Sequence, residues 1–161
     1  MGTQESPRAV DRMLCFALYT ASRVTTQAYR RVLAPWGLTY PQFLVLVELW
    51  DRGPLTVSDL GEDLALDSGT LSPLLTRLER SGFVSRSRTS EDARVVTVQL
   101  TAAGSRLRED MAEVPGQIAD CMNLEPYEAK ALISSLQEYT DVVETRSGAR
   151  HPYPTTTPHH R

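Results

Sequence analysis

What is scarce in this chain narrows its function before any motif is read. There are two cysteines, Cys15 and Cys121, too few for a disulfide-stapled secreted scaffold. The three histidines, His151, His159 and His160, all fall in the last eleven residues. The body of the chain therefore has no histidine to activate a cysteine nucleophile or to complete a structural zinc site. No apolar run reaches the length of a membrane span. The N-terminus lacks the basic-then-apolar layout of a secretory signal. The expected setting is the cytoplasm, with no membrane partner, metal or cofactor. An excess of positive charge is missing too. The formal charge is −3 over 161 residues, which taken alone speaks against a nucleic-acid partner. No internal repeat is visible.

What is present is the balance of an ordinary globular domain, with 41% hydrophobic and 23% charged residues. The charge is unevenly placed. Between residues 68 and 100, five arginines (Arg77, Arg80, Arg86, Arg88 and Arg94) meet three acids (Glu79, Glu91 and Asp92). An otherwise acidic chain thus carries one basic segment, a footprint that gains meaning only with a motif around it.

Hydrophobic spacing supplies the motif. Ser6-Pro7 looks like a helix start. Val10, Leu14, Ala17, Ala21, Val24, Ala28 and Val32 then trace one stripe up to about Ala34. Thr39 and Gln42 have capping-box spacing before a dense apolar run ending at Gly53-Pro54. Thr56 to Asp59 repeats the cap signal, with Leu60 and Leu64 facing inward. Ala65-Leu66-Asp67 forms a turn, with Asp67 or Ser68 as the next cap. Leu71, Leu74, Leu75 and Leu78 follow at i, i+3, i+4 and i+7, closed by Gly82. Two strand-like runs, Phe83 to Thr89 and Val95 to Leu100, flank a polar turn. Thr101 caps a fifth long helix, which Pro115-Gly116 should kink. A last helix from Glu125-Pro126 turns Leu132, Leu136, Tyr139 and Val143 inward. The expected fold is mainly α with a small β wing: a winged helix-turn-helix dimerised through its N- and C-terminal helices. A single domain spans 1–146, its DNA-binding part at 39–104 and its dimerisation helices at 7–36 and 102–146. The tail, 147–161, is expected to be disordered. Apolar stripes on terminal helices with nothing left to cover them imply a second copy.

The helix over 67–81 divides its labour. Its leucines fix it to the core, and its other face offers Ser68, Thr70, Ser72, Thr76, Arg77 and Arg80. Hydroxyls and amides near a helix N-terminus suit phosphates, and Arg77 can pair bidentately with guanine or clamp a phosphate. The hairpin adds Arg86, Arg88 and Arg94, suited to the backbone or the minor groove. Any one of these features is no more than a solvated face; their uninterrupted order is specific. Pro73 has no independent physical account.

Residues 39–104 resemble the MarR family of bacterial repressors. The matching stretches are Leu38-Thr39-Tyr40-Pro41-Gln42-Phe43, Asp67-Ser68-Gly69-Thr70-Leu71-Ser72-Pro73-Leu74-Leu75, Arg77-Leu78-Glu79, and Asp92-Ala93-Arg94 with Leu100-Thr101. Pro73 belongs to that pattern. The resemblance implies a triangular homodimer on a pseudo-palindromic double-stranded operator. The recognition helix would lie in the major groove, and Asp92 would orient Arg94 at the wing. It also implies a regulator and not an enzyme.

A second stripe on the first helix reads Cys15, Tyr19, Ser22, Thr26, Tyr29, with Tyr40 opening the next helix. Two readings fit these residues. Phenol donors near a thiolate favour the charge that a peroxide-reactive cysteine needs; equally, a free cysteine can be an inert small hydrophobe. Arg12 is a candidate cationic neighbour. The helix dipole should contribute little, because Cys15 would lie beyond the first turn. Leu14-Cys15-Phe16-Ala17-Leu18-Tyr19, with Tyr29 and Tyr40, resembles the organic hydroperoxide-sensing OhrR branch of the MarR family. That resemblance implies oxidation of Cys15 to a sulfenic acid, ringed by Tyr19, Tyr29 and Tyr40 partly across the dimer. It also opens a resolving role for Cys121 beside its plain reading as a core residue. Two other function classes remain. One is a MarR-type repressor released by a phenolic ligand in the cleft between dimer helices and wing, which Trp36, Tyr40, Phe43 and Trp50 could line as well as they could form core. The other is a thiol peroxidase, in which the wing would have no place.

Overall fold

Leucines at helical spacing build the core, and side-chain caps decide where each helix begins. The computed structural model describes residues 8–88 and 95–148. Over these residues the elements are α1 (Leu14–Val32), α2 (Tyr40–Arg52), β1 (Leu55–Thr56), α3 (Val57–Asp63), α4 (Ser68–Arg80), β2 (Val84–Arg88), β3 (Val96–Leu100), α5 (Ala102–Asp110), α6 (Val114–Met122) and α7 (Pro126–Ser147). At the start of α2 the Thr39 backbone N–H donates to Gln42 Oε1 at 2.8 Å. At α3, Thr56 and Asp59 cap one another reciprocally, each backbone N–H donating to the other side chain at 3.1 Å. At α4, Asp67 and not Ser68 is the cap, accepting from Thr70 N–H at 2.9 Å.

One hydrophobic core joins α2, α3, α4, the sheet, α5 and α6. Leu46, Leu60, Leu75, Leu78, Val98 and Val114 lie fully buried in it. The sheet has three antiparallel strands in the order β1-β3-β2. The hairpin register sets Val84 opposite Leu100 and Arg86 opposite Val98. The third strand, β1, was not foreseen. Its two residues, Leu55 and Thr56, pair with Val98 and Thr97, and so short a run carries no period of its own.

Where α5 meets the wing, the packing depends on one glycine. A Cβ on Gly104 would stand 2.0 Å from the Phe83 carbonyl oxygen. The Thr101 hydroxyl donates to the Gly82 carbonyl at 2.6 Å and accepts from Gly104 N–H at 3.1 Å, so it caps α5 and closes the hairpin base together. Trp50 Nε1 donates to the Gly104 carbonyl at 2.9 Å and ties α2 to the same point.

Four sequence expectations change. The first helix does not run unbroken from Pro7. A 3₁₀ turn over Ala9–Arg12 comes first, Met13 is extended (φ −94°, ψ 119°), and α1 begins at Leu14. The break before α6 comes at residues 111–113, ahead of Pro115. That proline sits in the first turn of α6, where its missing N–H has no helical partner to lose. Finally, α7 buries none of its residues in this chain. Leu132, Leu136 and Val143 are exposed, so the inward side has nothing of its own to meet. The helix also includes Ser147, the first residue of the expected tail, and is capped by Gly148, which is left-handed (φ 66°). Ser6-Pro7 and residues 149–161 lie outside the described residues.

Candidate nucleic-acid interface and sensor site

The outer face of α4 presents the side chains that the leucine spacing turned away from the core. Ser68, Thr70, Ser72, Arg77 and Arg80 are exposed, and Thr76 is half-buried. Not all of their polar capacity points outward. The Thr70 hydroxyl donates to Asp67 at 2.8 Å, and the Thr76 hydroxyl donates to the Ser72 carbonyl at 3.0 Å. The amides expected to attract a phosphate are partly taken as well. The carboxylate of Asp67 caps them, and its hydrogen bonds from Thr70 hold it below the usual carboxylate range.

The wing arginines divide. Arg88, at the end of β2, is exposed. Arg86 is engaged within the chain: its guanidinium donates to Glu79 Oε2 from Nε at 3.0 Å and from Nη2 at 2.5 Å, while its backbone N–H reaches Glu79 Oε1 at 3.3 Å. The same Nη2 reaches the Thr76 hydroxyl at 3.4 Å. Arg86 holds the Glu79 carboxyl below its ordinary range, chiefly through these hydrogen bonds. The pair is seven residues apart across a turn, beyond the helical pairs a sequence reading tests. Asp92 and Arg94 lie outside the described residues.

The residues of the cysteine stripe share a face but not a site. Cys15 is the second residue of α1, because Met13 breaks the chain before it. This overturns the expectation that it lies beyond the first turn; the first-turn amides favour an anion there. Cys15 and Tyr19 are exposed, and Arg23 Nη1 donates to the Tyr19 hydroxyl at 3.2 Å. Tyr29 is fourteen residues from Cys15, about 21 Å along a helix at 1.5 Å per residue. It stacks instead on Tyr40, with ring centroids 4.2 Å apart, and meets Phe43 at 5.9 Å. Burial raises the phenol pKa of both tyrosines above the usual value, and Tyr40 adds to the effect on Tyr29. Trp50 packs edge-on against Phe43 at 6.2 Å, so Phe43 and Trp50 are tied into the packing between α2 and its neighbours. Arg12 is exposed in the turn preceding α1.

Cys121 is exposed in the last turn of α6, beyond the buried Val114 and Ile118. The core reading of that residue does not hold within one chain. Since α6 packs beside α1, the two cysteines belong to one helical pair.

Comparison with known proteins places these features. A family model described as MarR family matches residues 38–96. The transcriptional regulator TtmR of Methylorubrum extorquens is 41% identical over 146 residues, covering 91% of this chain and 75% of that protein. The organic hydroperoxide resistance transcriptional regulator of Bacillus subtilis is 38% identical over 138 residues, covering 86% and 94%. Among solved structures, reduced AbfR bound to DNA superposes with a TM-score of 0.70 at 38% identity, covering 81% of this chain and 91% of that one. The disulfide-formed state of AbfR gives 0.61 at 38% identity, covering 79% and 89%. AbfR is a protein of Staphylococcus epidermidis.

Proposed function

The chain belongs to the MarR family of DNA-binding transcriptional regulators, and from that premise we propose that it is a dimeric repressor that leaves its operator when an organic hydroperoxide oxidises Cys15. The observation that carries this reading is the position of Cys15: exposed, in the first turn of α1, four residues before a phenol held by Arg23. Relatives named for organic hydroperoxide resistance and for a disulfide-formed state support it.

The missing partner groups also support it. One chain holds Tyr29 about 21 Å from Cys15 along α1, with Tyr40 of α2 stacked on it. A second copy, laid antiparallel, would bring its own Tyr29–Tyr40 pair to this end. The apolar residues left exposed on α1 and α7, Leu14 and Ile133 among them, provide a surface for that copy.

The chemistry is stoichiometric. The Cys15 thiolate attacks one oxygen of ROOH, the S–O bond forms as O–O breaks, and the alkoxide leaves as ROH after taking a proton. Sulfur is oxidised to the sulfenic acid. The thiolate of Cys121 in the second copy then attacks that sulfur, forming S–S and releasing the oxygen as water after protonation. Either product enlarges a packed interface. The α1 helices shift, and the paired recognition helices lose the half-site spacing of about 10 bp or a multiple of it.

The test uses a duplex selected from random sequence by the reduced protein. One equivalent of cumene hydroperoxide should release wild type and leave Cys15→Ser bound. Non-reducing electrophoresis should show a covalent dimer that Cys121→Ser lacks. Release of Cys15→Ser by peroxide would end the redox reading and favour a repressor answering to a bound phenolic ligand.

A further inference from the structure

The wing leaves the core at one point. Val84, the first residue of β2, is buried, and β1 covers only Val98 and Thr97 of the neighbouring strand. Past Arg86, the residues Ser87 and Arg88 are exposed, and among the described residues what holds them is their pairing with Thr97 and Val96 of β3. Arg86 is thus the last side chain of β2 tied to another element. Its ties all run to α4: a two-pronged ion pair with Glu79, a backbone N–H to the same carboxylate, and the Thr76 hydroxyl.

We propose that Arg86 is a positioning residue. Clasped by Glu79 and Thr76, it sets the angle of the wing on the recognition helix, so that the exposed Arg88 meets the DNA flanking the major groove. This rests on the reading of α4 and the wing as the DNA face. A guanidinium whose Nε and Nη2 converge on one carboxylate oxygen, with Nη2 also on Thr76, keeps Nη1 as its remaining edge for phosphate, and its charge is neutralised locally. Side chains alternate along a strand, so Arg88 shares the face of Arg86 two residues further out. A change in the clasp therefore swings Arg88 while leaving α4 seated by its leucines.

The two roles open to this pair predict opposite signs. Were Glu79 merely an acid near DNA, removing its charge would tighten binding. As half of the clasp, its removal weakens binding. On the selected duplex, E79Q and R86K should each bind about fivefold or more weakly, the equivalent of losing about 1 kcal/mol. Hydroxyl-radical protection should fade at the outer edges of the site and persist at its centre. Because Arg86 acts through Arg88, the R86A, R88A double variant should bind no more weakly than R88A alone. Tighter or unchanged binding by E79Q, wild-type affinity in R86K, or losses in R86A and R88A that add in the double variant, the signature of an independent contact by Arg86, would each overturn the proposal. Should E79Q fail to fold, R86K and the double variant decide. Arg77→Ala separates the two levels: weaker binding there with an indifferent E79Q sinks the clasp alone, whereas indifference in both sinks the DNA face with it.

Discussion

Tyr29 and Tyr40 are the residues whose chemistry the fold alters most directly. Each phenol is about half buried against the other, and burial raises its pKa above the ordinary value of about 10. The native state therefore keeps protons that the unfolded chain gives up. Their contribution to stability is complete below about pH 10, the unfolded value, and is lost as pH rises through the higher native value. Urea titrations from pH 8 to 11 should show wild type losing stability above pH 10 more steeply than a Tyr29→Phe, Tyr40→Phe double variant. Equal slopes would mean that the phenols are not shielded as described. At neutral pH a phenol is a hydrogen-bond donor even without the shift, the form in which it could steady a thiolate from a second copy.

At the level of elements, the junction of α5 with the wing is the least forgiving place in the chain. Gly104 lies against the Phe83 carbonyl, and a Cβ there would meet that oxygen at 2.0 Å. Backbone cannot swing aside as a side chain can. Gly104→Ala should therefore cost about 2–3 kcal/mol, at the upper end for overpacking, and weaken DNA binding by displacing the hairpin. Thermal unfolding and duplex binding measured on one preparation check this; a variant with wild-type Tm would show that α5 can slide. Thr101 was legible beforehand as a cap. Its second role, holding the Gly82 carbonyl, was not, because that partner lies nineteen residues away and is set by the sheet.

For the whole molecule, the decisive quantity is the surface that one chain leaves uncovered. Neither α1 nor α7 buries a residue within the chain, and Leu14, Ile133 and Leu132 are each at least half exposed. A two-fold interface made by these helices would hide them. Placing charges in it, with Ile133→Glu and Leu136→Glu together, should yield a monomer in sedimentation at micromolar concentration. That monomer should lose nearly all affinity for the selected duplex, because two half-sites are no longer read by one particle. A wild-type chain that sediments as a folded monomer at that concentration would remove the basis for both the shared sensor site and the pseudo-palindrome.

The sequence by itself determined the order of the helices and the hairpin, though not β1, together with most of the caps and the solvent-facing side of α4. These follow from contacts three and four residues apart, which a linear pattern records. It also marked Cys15, Tyr19 and Tyr29 as one stripe, with Tyr40 opening the next helix. Only the tertiary structure decided what that stripe can do. Met13 breaks the helix and moves Cys15 into a first turn, while rise along α1 separates it from Tyr29 on the same face. Likewise, Arg86 read as one more basic wing residue until the fold laid Glu79 against it. Spacing along a chain reports direction around a helix, but not which distant group fills a side chain's hydrogen bonds, and that is set when separate elements pack.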